Sequence, residues 1–299
     1  MTRSYSFMQV DAFTDKPLGG NPCAILFDTD DLDANTMQAI AQENNLSETS
    51  FVRKSEIADV RVRYFTPSAE IPLAGHPTIA TAFALVDSGR IKLAGDYMAV
   101  TFELNVGPIT VELFSKAGRL QRAVMLQKKP QFFETFDAAK VMPMFGLMLE
   151  DAIENAPIQI VSTGTKQLMV CVKSLDALRR IRPDMRGLER FADTAGFFSA
   201  HVFTLHGATP RGQTFARHYA PGPNEFEDPY TGSATGGMGA YLWRHGLIDS
   251  PSLIAEQAHW MGRPGEGTVD VIGPRDDIET VKVGGSAVTV IRGTMEIGS

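Results

Sequence analysis

Apolar and polar positions recur along this chain with periods that mark out most of its elements. Residues 6–12 read as a strand, and Gly19-Gly20-Asn21-Pro22 breaks the chain before the apolar run 23–27. Over 33–44, Met37, Ile40 and Ala41 fall at the i, i+3, i+4 spacing of one buried helix face, with Asp33 as N-cap. Leu46-Ser47-Glu48-Thr49 sits at the exit of that helix and leads into a short strand, 50–52. Val60, Val62 and Tyr64 alternate with Arg61 and Arg63, again a strand. A loop over 66–74 ends in Gly75-His76-Pro77, and Pro77 suits a first helical turn, where its missing N–H costs nothing. From 78 to 86 almost every residue is small or apolar. A helix apolar on all faces must be buried on all faces. Strands at 98–104 and 108–114 follow.

Around 122–135 the pattern changes, and Lys128-Lys129-Pro130 marks a link between halves. Beyond it the pattern predicts a helix near 136–145, interrupted by Pro143, and strands at 159–162 and 167–173. Helices at 175–180 and 185–195 and strands at 200–206 and 213–219 come next. Asp228-Pro229-Tyr230-Thr231-Gly232-Ser233 opens a second small and apolar helix, running to Trp243. Strands at 269–272, 280–283 and 287–291 end the pattern.

The two apolar helices resemble each other. Gly75 and Gly89 bracket the first and Gly232 and Gly246 the second, each pair 14 residues apart. Each helix follows a strand ending in aromatic-x-Pro, Phe65-Thr66-Pro67 and Tyr219-Ala220-Pro221, and a glutamate, Glu70 or Glu227, stands five residues before its glycine. The copies are offset by 157 residues, about half of a 299-residue chain. This order points to duplication. The halves are residues 1–125 and 126–299, with the last strand free to return to the first half. The expected fold is α/β (α+β), two pseudo-symmetric halves, each wrapping a mixed sheet around one buried helix.

Composition narrows the function. A net charge of −7 argues against nucleic acid or an anionic membrane as partner, since both need a basic surface. No apolar run reaches membrane-spanning length, and no secretory leader pattern is visible. Two cysteines, Cys23 and Cys171, make neither a disulfide framework nor a metal site, so a reducing cytoplasm is expected. The other histidines, His201, His206, His218, His245 and His259, show no metal spacing, and no phosphate-loop or dinucleotide motif occurs. No cofactor is expected. A small anion remains compatible, because helix N-termini offer unpaired N–H groups and partial positive charge. Two such termini, at His76 and Ser233, each follow a glycine that lets a ligand approach the backbone. A two-domain cleft holding both suits a small carboxylate.

Several blocks resemble the PhzF family, the phenazine-biosynthesis-type isomerases with the diaminopimelate-epimerase fold. They are Asp11-Ala12-Phe13, Gly20-Asn21-Pro22, Asn45-Leu46-Ser47-Glu48-Thr49, Tyr64-Phe65-Thr66-Pro67, Gly75-His76-Pro77-Thr78, Ser162-Thr163-Gly164, Gly262-Arg263-Pro264 and 227–234. They occur in family order and cover most of the chain. The resemblance implies barrel-like halves around central helices, a site between them, and a homodimer. It implies Glu48 as proton shuttle, with His76 and Asp228 completing the catalytic set. Ser233 and the N–H groups of Gly75 and Gly232 would bind the substrate carboxylate. Asn21 either holds a turn or lines the site, and Ser47 is the remaining candidate substrate contact. Glu70 and Glu227 read as loop or capping residues. The reference reaction relocates a proton on trans-2,3-dihydro-3-hydroxyanthranilate.

The chemistry is sensible on its own terms. Moving a proton between carbons needs one group that takes it and returns it. Two alternatives stand beside the isomerase reading. One is a racemase or epimerase of the same fold, which would need a cysteine before each helix glycine; Ala74 and Thr231 stand there instead. The other is a protein that binds a small metabolite without turnover.

Overall fold

A computed structural model describes residues 2–221 and 226–298. It divides into two units, one formed by the residues up to Leu126 together with those from Gly284, the other Gln127–Val283.

In the first unit the elements are β1 (Arg3–Ala12), β2 (Asn21–Leu26), α1 (Ala34–Asn44), β3 (Glu48–Arg53), β4 (Val60–Phe65), β5 (Glu70–Ile71), α2 (Gly75–Asp87), β6 (Tyr97–Leu104), β7 (Gly107–Lys116) and β8 (Arg119–Leu126). β1 and β2 are antiparallel, β2 and β3 parallel, β3 and β4 antiparallel. β4 then takes β5 antiparallel and β6 parallel, and β6, β7 and β8 form a meander. Asp33 caps α1 by accepting from the Thr36 N–H at 2.8 Å, and Met37, Ile40 and Ala41 form its buried face. In α2 every residue from His76 to Leu85 is buried, so the sheet surrounds this helix. Burying Ile79, Phe83 and Leu85 stabilises the unit by about 1.5–3 kcal/mol each.

The second unit runs β9 (Gln131–Phe136), α3 (Ala138–Val141), β10 (Ile158–Ser162), β11 (Lys166–Cys171), α4 (Leu175–Arg180), α5 (Met185–Ala195), β12 (Ser199–Thr204), β13 (Thr214–Ala220), β14 (Phe226–Asp228), α6 (Gly232–Arg244), β15 (Ser252–Gln257), β16 (Gly265–Ile272) and most of β17 (Thr280–Gly285), whose last two residues count with the first unit. Its pairings repeat the first unit. β10 and β11 are antiparallel, β11 and β12 parallel, β12 and β13 antiparallel. β13 takes β14 antiparallel and β15 parallel, and β15 pairs β16 antiparallel. Helix α6 is buried from Ala234 to Leu242 and takes the place of α2.

The last strand, β18 (Ala287–Ile297), pairs antiparallel with β1 along almost its whole length. The range 126–299 therefore does not stay together: the end of the chain belongs to the first unit, as left open for the last strand. In the second unit β9 fills the matching place, antiparallel to β10. Thus the expected link around 122–135 is mostly strand, the end of β8 and most of β9, separated by Lys128-Lys129-Pro130.

Candidate active site

The candidate residues fall into two groups, one in each unit. In the first, α1 ends on Asn45 in the left-handed conformation (φ 48°), and the turn through Leu46 and Ser47 delivers Glu48 as the opening residue of β3. Ser47 and Glu48 are half-buried. Glu48 lies beside Cys23 in the parallel ladder with β2. β2 itself opens with buried Asn21, set by Gly20 at φ +49°; a Cβ on Gly20 would lie 2.0 Å from the Ala12 carbonyl oxygen. Gly75 is the first residue of α2, and Ala74 at its N-cap has no side chain able to satisfy the first-turn N–H groups.

His76 links these pieces. Its Nε2 lies 3.2 Å from Glu48 Oε2, and its Nδ1 lies 3.1 Å from Asn21 Nδ2. Asn21 Nδ2 and His76 Nδ1 are within hydrogen-bond reach of each other, while the approach of Nε2 to Glu48 Oε2 is a close polar contact and not a formed hydrogen bond. Burial pushes His76 down to about 3, the Pro22 carbonyl opposing weakly, so the imidazole is neutral near pH 7. The structure thus brings Glu48, His76 and Asn21 together.

In the second unit Asp228 ends β14, buried, with its Oδ2 accepting from the Thr231 hydroxyl. Gln257 Nε2 donates to the Asp228 carbonyl at 2.6 Å, and its Oε1 accepts from the Thr231 N–H at 3.2 Å. Thr231 is the N-cap of α6 without capping it through its side chain, and Gly232 is the first helical residue. Ser233 therefore does not cap the helix. It is the second helical residue, because the helix starts at the glycine, and its Oγ accepts from Gln167 Nε2 at 3.1 Å. Gln127 Nε2 donates to the Gly232 carbonyl at 2.9 Å. A Cβ on Gly236 would lie 2.0 Å from Gln127 Oε1, so the glycine admits that glutamine against the helix.

Two buried histidines lie nearby in the ladder: His201 and His218 are register partners with Nδ1 atoms 3.2 Å apart. Burial pushes both down, His218 to about 3. Cys23 and Cys171 are buried in β2 and β11, their thiols pushed up to about 12. Glu70 and Glu227 prove to be scaffold: each forms a two-pronged ion pair, with Arg63 and Arg217. Among the described residues no group of three or more His, Cys, Asp or Glu could hold a metal. No helix among them is long and apolar enough to cross a membrane.

Gln127, Gln167 and Gln257 escaped the sequence reading. A glutamine in an apolar strand carries no periodic signal. Only the internal repeat could have raised Gln167, because it holds in β11 the register place that Cys23 holds in β2.

These features define an α/β protein of two related units, each with polar side chains gathered at the first turn of a buried helix. Residues 10–293 match the family described as phenazine biosynthesis-like protein. The chain is 35% identical over 296 residues to the trans-2,3-dihydro-3-hydroxyanthranilate isomerase of Pseudomonas chlororaphis, covering 97% of this chain and 99% of that one. It is 35% identical over 266 residues to the uncharacterized isomerase YfhB of Bacillus subtilis, covering 88% and 89%. The crystal structure of the Bacillus anthracis phenazine biosynthesis protein of the PhzF family superposes with a TM-score of 0.88 at 32% identity, over 99% of this chain and 100% of that one. The chain belongs to the PhzF family and is an isomerase.

Proposed function

We propose that the protein relocates a proton between two carbons of a small carboxylate, with Glu48 as the group that takes and returns it. The observation that carries this reading is the 3.2 Å contact of a buried, neutral His76 with Glu48. A neutral imidazole beside the carboxylate spares it the full positive charge that would weaken it as a base. One C–H bond breaks as Glu48 accepts the proton, and another forms as it is returned elsewhere; no electrons leave the substrate, so the step needs no redox partner.

Asp228 and Ser233 orient the substrate, and the uncapped first turns at Gly75 and Gly232 suit its carboxylate. Asn21 holds the His76 ring through its contact with Nδ1, and Ser47 remains a candidate contact. The named substrate of the Pseudomonas chlororaphis relative is the first compound to try. Two-thiol racemisation finds no support, with Ala74 and Thr231 at the helix N-caps and both cysteines buried. A homodimer and a cytoplasmic location belong to the same reading, and light scattering tests the first.

The test follows solvent deuterium entering that compound, and further small carboxylates, in D2O by NMR. Glu48→Gln is expected to abolish exchange and spare affinity. Undiminished exchange in the variant removes Glu48 from the mechanism.

A further inference from the structure

In both units a strand amide holds the second residue of the buried helix. Asn21, opening β2, contacts His76 at 3.1 Å, and Gln167 of β11 donates to Ser233 at 3.1 Å. In the first unit the ring held this way lies 3.2 Å from Glu48. In the second unit the contact has a definite direction, from amide to hydroxyl. A hydroxyl has one proton to give and two lone pairs to fill. Gln167 Nε2 fills one lone pair and leaves the Ser233 O–H to be given elsewhere.

Gln167 is built for this task. It is 2% exposed, and its backbone is locked in the ladder beside Ser199. Its side chain lies against α6, where its Oε1 would be 3.8 Å from a Cβ on Gly237. The serine is equally fixed: the Thr163 hydroxyl donates to the Ser233 carbonyl at 3.4 Å, and Gln127 grips the preceding carbonyl.

We propose that Gln167 is a positioning residue for substrate binding: by donating to Ser233 Oγ it forces the Ser233 hydroxyl to act as donor, toward a substrate carboxylate. This rests on the reading of Ser233 as a substrate contact. It assigns a specificity for acceptor groups, carboxylate over amide N–H, to a residue that never touches substrate.

Gln167→Glu is the decisive change. A carboxylate there accepts from Ser233 and turns its proton away from the substrate. KM for trans-2,3-dihydro-3-hydroxyanthranilate should rise about 10–100-fold, with kcat within about threefold, as expected for losing a hydrogen bond to a charged group. Ser233→Ala should give a similar rise, and adding Gln167→Glu to it should change KM less than about twofold. Gln167→Met, close in shape but unable to donate, frees the hydroxyl to rotate and should raise KM about three- to tenfold. It carries the test should a buried glutamate prevent folding, which thermal melting reports. An unchanged KM in the folded variants, or independent effects of the two sites, overturns the proposal. So does wild-type protein that binds neither this compound nor benzoate by calorimetry. If the Glu48→Gln protein still exchanges deuterium, the proton-shuttle reading fails; calorimetric affinities then judge Gln167 separately.

Discussion

The two units share one topology and differ in chemistry. The ion pair Arg63–Glu70 recurs as Arg217–Glu227, with the same strand register and the same stacking of the arginine on an aromatic, Phe65 or Tyr219. Thr78 donates to the Ala74 carbonyl as Thr235 donates to that of Thr231. Where the first unit has Glu48 and His76, however, the equivalent places in the second hold Ser199 and Ser233. Duplication kept the parts that hold the sheet to the loop before its helix. On the reading proposed above, the group that moves the proton stands in the first unit, while the equivalent place in the second holds a hydroxyl.

The sharpest way to break this comparison is to exchange chemistry at equivalent places. Glu48→Gln should lower the rate of deuterium exchange by about 10²–10⁴-fold, while Ser199→Ala should leave it within a few fold. Equal losses would contradict the division of labour.

The shared ion pairs come next. Arg63→Met and Arg217→Met each strand a carboxylate that is only about a quarter exposed. Each should cost about 2–3 kcal/mol, somewhat less than breaking a fully buried pair. Urea denaturation measures this, and matched losses would mark the pair as common scaffold.

Acid should separate the units. A histidine held well below 6.5 in the folded state stays neutral while the unfolded chain takes up a proton. Its stabilisation is complete above pH 6.5 and is lost as pH falls toward about 3. The second unit carries two such imidazoles, His201 and His218, where the first has Ser50 and Tyr64 at the matching register. Giving the second unit those residues, with His201→Ser and His218→Tyr, should reduce the acid slope by up to about 1.4 kcal/mol per pH unit for each imidazole. Urea melts between pH 6 and pH 4 read this, and an unchanged slope refutes it.

The smallest effect is expected at Ser199 itself. Its Oγ is buried without a hydrogen-bond partner, so Ser199→Ala should change stability by less than about 1 kcal/mol, or increase it.

Much of this was legible before the structure. The runs following Gly75 and Gly232 announced two helices buried all round, because nothing polar in them needed water. Their equal spacing announced the duplication, and helices α4 and α5 fall on the expected residues. Other parts were hidden for physical reasons. β9 has no fully buried position, so its hydrophobic alternation is weak. The return of β18 to β1 is a pairing between distant segments, which no local period encodes. At the site, the family blocks pointed to Glu48, His76, Asp228 and Ser233. They were silent on the glutamines, whose roles depend on which neighbour a strand brings within reach.

The β1–β18 pairing also has a consequence for synthesis on the ribosome. The second unit is one continuous stretch, Gln127–Val283, and can be finished as it emerges. The first unit waits for its final strand: until β18 arrives, β1 has β2 on one side and lacks its native neighbour on the other. The half translated first is thus completed last, and a ribosome pausing late in the message leaves an open strand edge seeking a partner.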